Sequence, residues 1–80
     1  MKQEQVWVLH ISHKHGDSFF AYRQRKSALN YLAQWARKWW HEAGVPGSYA
    51  DLSDSYLIIV YFDHVAGRES YNVKLVDLED

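Results

Sequence analysis

The sequence predicts a small α+β fold of order ββαββ, in which a four-stranded, mostly antiparallel sheet carries one helix packed across one face. Three observations lead there. Val6-Trp7-Val8-Leu9-His10-Ile11 and Ser18-Phe19-Phe20-Ala21-Tyr22-Arg23 are rich in β-branched and aromatic residues and flank the turn chemistry of His15-Gly16-Asp17. Apolar residues recur at helical spacing between Lys26 and Ala43. A second pair of strand-like runs, Tyr56–Phe62 and Tyr71–Leu78, follows on either side of Ala66-Gly67-Arg68.

Gly16 supplies the positive φ that a tight turn between the first two strands needs. In the helix, Ser27 is positioned to cap the N-terminus and Gly44 to close the C-terminus. At about 100° per residue, Leu29, Leu32, Ala33, Ala36, Trp40 and Ala43 share a core-facing arc. Asn30, Gln34, Arg37, Lys38 and His41 take the opposite side. Gly44-Val45-Pro46-Gly47 opens a loop that runs to about Ser55. Tyr56-Leu57-Ile58-Ile59-Val60-Tyr61-Phe62 is then the strongest strand, and Tyr71–Leu78 alternates as the fourth. The expected organisation is one domain over residues 1–80, with a hairpin at 5–24, a helix at 26–43, a loop at 44–55 and a hairpin at 56–79.

Composition narrows the function classes. A chain of 80 residues has room for one small core, and aromatics at 16% help to fill it. Without cysteine there is no disulfide framework, thiolate metal site or cysteine nucleophile, and no cofactor is expected. The polar lead-in Met1-Lys2-Gln3-Glu4-Gln5 lacks the form of a signal peptide. The longest apolar run falls far short of the roughly 20 residues of a membrane helix, so the expectation is a cytoplasmic protein with no membrane partner. A net charge of −1 opposes a generic nucleic-acid binder. That near-neutrality hides an asymmetry, since residues 1–50 carry +4 and residues 51–80 carry −5. Strands drawn from both halves into one sheet would cancel part of it.

Two features exceed what a bland domain needs. Tyr31, Trp35 and Trp39 flank the helical arc and widen its apolar surface to about half the circumference. They either lap over the sheet edge to complete the core or form a partner-binding patch rimmed by Lys38 and by Arg23, Arg25 and Lys26. The sheet also reads as apolar on both faces. Leu57, Ile59 and Tyr61 oppose Tyr56, Ile58, Val60 and Phe62, and Trp7, Leu9 and Ile11 oppose Val6 and Val8. One helix covers one face, so the second calls for the loop around Tyr49 and Leu52, a second copy of the chain, or another protein.

Chemistry is sparse. His13 and His15 are weak metal-ligand candidates, with His10 pointing opposite to His13, and a zinc site would still need further ligands. A nuclease would draw on His13 or His15 with Arg23 or Lys26, but no nucleophile or paired-carboxylate motif accompanies them. Arg23, Arg25 and Lys26, extended by Arg37, Lys38 and Lys14, support an alternative role in nucleic-acid binding or regulation. Asp51, Asp54, Asp63, Glu69 and Asp77 form a competing acidic set which, if clustered, would imitate a nucleic-acid backbone.

His15-Gly16, Phe20-Ala21-Tyr22-Arg23, Tyr31-Leu32, Trp35-Ala36-Arg37-Lys38-Trp39-Trp40, Phe62-Asp63-His64-Val65 and Glu69-Ser70-Tyr71 together resemble short reading frames of bacteriophages and bacterial mobile elements. The resemblance spans nearly the whole chain and carries no catalytic signature. Some phage proteins of this size are anti-CRISPR or other anti-defence inhibitors, which bind and block a host complex. The expected function is therefore a non-enzymatic interaction module, whose partner is a host protein or a second copy in a homodimer. The aromatic helix flank or the apolar second sheet face would be its interface.

Overall fold

The computed structural model describes residues 4–78. Met1–Gln3, which begin the polar lead-in, and position 79, where the last hairpin was expected to end, lie outside them. The first hairpin forms as the pattern requires. β1 (Glu4–His13) and β2 (Gly16–Tyr22) pair antiparallel, with Leu9 opposite Phe20 and His13 opposite Gly16. Gly16 closes the turn at φ +122°, a value that side chains with a Cβ rarely adopt.

α1 (Arg25–Trp39) is the expected helix, trimmed at its C-terminal end. The chain leaves it through turns over residues 40–44, where Ala43 N–H donates to the Trp39 carbonyl and Gly44 takes φ +77°. Its N-cap is Gln24 in extended conformation, without a side-chain cap, so Ser27 sits in the first turn rather than capping it. Ala28, Leu32, Ala33, Ala36 and Trp40 are buried, and Leu29 packs on the edge of that set.

The expected four-stranded sheet with one helix is overturned by residues 54–64. Tyr56–Phe62 is not a strand. It belongs to α2 (Asp54–His64), so the order is ββααβ. The reason lies in which side chains can be buried together. Leu57, Ile58, Tyr61, Phe62 and Val65 follow a one–four spacing and are buried, while Ile59 is 61% exposed and Tyr56 is 55% exposed. A strand would have placed Ile59 with Leu57 and Tyr61. Ser53 starts the helix, its Oγ accepting the Tyr56 N–H at 3.3 Å, and Asp54 lies in the first turn, where a carboxylate suits the helix dipole.

β3 (Ser70–Leu78) consequently pairs with β1, not with residues 56–62. The sheet is three-stranded and antiparallel, in the order β2-β1-β3. Both helices lie on the face of Leu9 and Ile11. Tyr31 of α1 packs on Phe20 of β2 with centroids 4.5 Å apart, and Phe62 of α2 packs on Tyr71 of β3 at 4.7 Å. The least extent of the molecule, 16 Å, is that of one sheet layer and one helix layer.

The two apolar faces expected of residues 56–62 are two sides of α2, whereas β1 does carry apolar residues on both faces of the sheet. Val6 and Val8 of β1, Val76 and Leu78 of β3, and Phe19 and Ala21 of β2 share the outer face by register, and Phe19 is 66% exposed. Tyr49 and Leu52 do not cover that face. Both pack against the buried cluster on the helix side, Tyr49 with its ring 5.7 Å from Trp40.

Ser53→Ala removes the α2 cap and is expected to cost about 1 kcal/mol. In a chain of this length that lowers Tm by roughly 4–8 °C. Thermal unfolding followed by circular dichroism checks it, and a strand at 56–62 would show no such sensitivity.

Candidate functional site

Four segments converge at one end of the helical layer: the β1–β2 turn, the C-terminal half of α1, the end of α2, and the turn into β3. They enclose an open pocket of about 400 Å³. Its aromatic wall is Trp35, Trp39 and Tyr61, and its polar groups are His13, Glu42 and Glu69, with Lys14, His15 and Arg68 around the mouth. Helical periodicity puts Trp35 and Trp39 one turn apart on α1, their ring centroids 5.9 Å from each other.

Glu69 fastens this end of the molecule. Its Oε1 accepts the Tyr61 O–H at 2.9 Å and the Trp35 indole N–H at 3.3 Å, which ties both helices to the residue before β3. Both donors are neutral, and among the described residues no cation pairs with this carboxylate. Burial first, and then the hydrogen bond to Glu69, push the Tyr61 phenol well above its usual range. Tyr61 therefore remains a donor at neutral pH.

His13 is part of the wall rather than a free base or ligand. Its ring lies 5.2 Å from Trp35, its Nε2 is 3.0 Å from Ser18 Oγ, and its Nδ1 accepts the His15 backbone N–H at 3.4 Å. Both ring nitrogens are engaged. The His13 and His15 rings are neighbours at 6.2 Å, yet no three His, Asp or Glu side chains among the described residues gather as a metal site. His10 lies on the other sheet face as expected, stacked on Phe19 at 4.4 Å with its Nε2 2.8 Å from Asp17. That hydrogen bond holds the Asp17 carboxyl below the usual range.

The other candidate residues scatter. Trp35 and Trp39 come together, whereas Tyr31 is spent on packing against Phe20. Lys38 is exposed beside the pair, its Nζ 5.2 Å from the Trp39 ring centroid. Arg23, Arg25 and Lys26 remain exposed at the β2–α1 junction. The acidic set does not assemble into one surface. Asp54 pairs with Arg37 of α1, Asp77 accepts from Gln5 at 2.7 Å, Glu69 lines the pocket, and Asp51 and Asp63 are exposed elsewhere. Asp77 is eight residues along β3 from Glu69, about 25 Å of extended chain. Tyr61, Glu42 and Arg68 escaped the sequence reading as pocket residues. Treating 56–62 as a helix is the signal that would have brought Tyr61 to Glu69.

Trp39 and Trp40 differ sharply. Trp40 is 1% exposed and its indole N–H donates to the Gly47 carbonyl at 3.2 Å. Trp39 Nε1 is shut off from solvent with no hydrogen-bond partner, a state that costs about 1–3 kcal/mol.

The chain matches no family model, no curated protein and no solved structure. No helix among the described residues is long and apolar enough to cross a membrane.

Two outcomes follow from the geometry. Trp39→Phe removes an orphan donor and should leave the urea midpoint unchanged or raise it, whereas Trp40→Phe should lower stability by about 1–3 kcal/mol. Tyr61 favours its neutral form in the fold, so its stabilisation is fully present below about pH 10 and is lost as pH rises beyond it. Urea unfolding at about pH 8 and about pH 11 should show a smaller loss in Tyr61→Phe than in the parent chain.

Proposed function

We propose that this chain is a non-enzymatic protein-interaction module that docks on a larger protein through the aromatic flank of α1 and the pocket beside it. The observation that carries the reading is the half-buried Trp35–Trp39 pair opening onto the cavity of about 400 Å³. Trp side chains supply large, rigid contact area and dominate binding hot spots. The polar groups of the cavity are arranged for holding rather than for reaction. Glu69 is anchored by two donors, His13 has both nitrogens occupied, and among the described residues no serine, threonine or cysteine lines the wall. By the resemblance to phage reading frames, the partner is a subunit of a host defence complex and the module is an anti-CRISPR-like inhibitor acting in the cytoplasm. The uncovered outer face around Phe19 offers a second apolar surface, suited to a second copy of the chain.

The test is retention of a binding protein from host lysate by the parent chain and by three variants checked for native circular dichroism. Trp35→Ala should reduce retention at least about tenfold, as truncation of a hot-spot residue does, and Lys38→Glu should reduce it less and in a salt-dependent way, as a change of rim charge does. Phe19→Lys should leave it intact and should abolish any dimer seen by light scattering. Retention of nucleic acid alone, lost in Arg23→Glu/Arg25→Glu, would replace this reading with a small nucleic-acid-binding protein that uses the basic strand–helix junction.

A further inference from the structure

We infer that the pocket is an arginine socket: it takes the guanidinium of an arginine side chain presented by the partner protein, between the indole wall and the carboxylate of Glu69. The inference deepens the proposed interaction and rests on it.

Three observations converge on this chemistry. Among the described residues Glu69 has no ion-pair partner: its Oε1 holds two neutral donors, none of them bonds its Oε2, and their ion pairs, His10–Asp17 and Arg37–Asp54, lie elsewhere. A half-buried carboxylate with a free oxygen gains most from a cation that also donates hydrogen bonds. The wall beside it is built of indoles, whose faces attract cations more strongly than other aromatic rings do. One of these indoles already has a cation near its face, since the Lys38 ammonium stands 5.2 Å from the Trp39 ring centroid, although Lys38 does not line the pocket.

Shape and solvation favour arginine over lysine. A guanidinium is planar, stacks on an indole while donating to a carboxylate, and is more weakly hydrated than an ammonium. The cavity, at about 400 Å³, lies within the range of sites that enclose small ligands and is ample for one side chain. The exposed Lys14 and Arg68 at the mouth would favour an anion instead. They stand in solvent, where their charge is screened, whereas Glu69 is half-buried and close to the rings. Of the two carboxylates in the lining Glu42 is exposed as well, so the half-buried Glu69 is the least screened charge of the pocket.

The experiment titrates the full chain with N-acetyl-arginine amide, following the indole N–H resonances by NMR. The neutral isostere N-acetyl-citrulline amide, the lysine analogue and the glutamate analogue serve as comparisons. Saturable binding of the arginine compound in the millimolar range is expected, with citrulline at least about tenfold weaker and lysine between them. Glu69→Gln keeps an acceptor for Tyr61 and Trp35 but removes the charge. It should weaken arginine binding by at least about tenfold without altering the circular dichroism. Equal binding of citrulline, tighter binding of the glutamate analogue, or an unaffected Glu69→Gln chain overturns the socket. So does absence of saturation. These results are independent of any partner: a protein retained through Trp35 by a chain that ignores arginine refutes the socket alone.

Discussion

The central strand sets the terms for the whole structure. Leu9 and Ile11 of β1 are the only strand residues wholly excluded from solvent among the described ones, and a three-stranded sheet cannot shield them by itself. Two helices must converge on the same face. α1 manages a close approach because its inward positions are small, Ala28, Ala33 and Ala36, with Leu32 among them. Leu57, Ile58 and Tyr61 of α2, and Trp40 at the end of α1, join those alanines in one buried cluster. Each fully buried side chain of this size contributes about 1.5–3 kcal/mol against a net stability of only about 0.05–0.15 kcal/mol per residue. A handful of contacts on one face of β1 therefore decides whether the chain folds.

The pocket is a consequence of that convergence. With two helices on a three-stranded sheet, a gap remains at one end of the helical layer, beside the turn into β3. Trp35, Trp39 and Tyr61 line the gap, and Glu69 bridges it with one carboxylate oxygen. The hydrogen bonds that hold the helices to β3 are thus the same ones that orient the pocket's charged group. The structural role of Glu69 and the binding role proposed for it fall on one side chain, which is why a charge-only change there separates them where a truncation would not.

Much of the fold is legible in the residues. The β1–β2 hairpin follows from two β-rich runs around Gly16, and α1 from an apolar period of 3.6. α2 was hidden because an unbroken apolar run carries no period, and its β-branched and aromatic content argues for a strand. Two signals were present nonetheless. Ser53 is a strong N-cap followed by Asp54, and extending the run to Val65 restores a one–four pattern through Leu57, Ile58, Tyr61, Phe62 and Val65. The pocket was only half legible. Trp35 and Trp39 share a helix and announce each other, but Glu69, Tyr61 and His13 reach them through tertiary contacts that no local spacing encodes.

The charge asymmetry of the chain shows how folding redistributes what the sequence separates. The +4 half and the −5 half do not face each other as poles, because β3 of the acidic half lies against β1 of the basic half. Arg37 pairs with Asp54 across the two helices, and Gln5 donates to Asp77 across the sheet. Beyond about 8–10 Å the remaining surface charges are screened at physiological salt, so a long-range field has little left to steer with. What survives is local: one half-buried carboxylate, an indole with a lysine ammonium near its face, and an outer sheet face on which Phe19 is exposed. A partner of the proposed kind would be selected by short-range fit rather than by net charge, because desolvation makes each contact count for more.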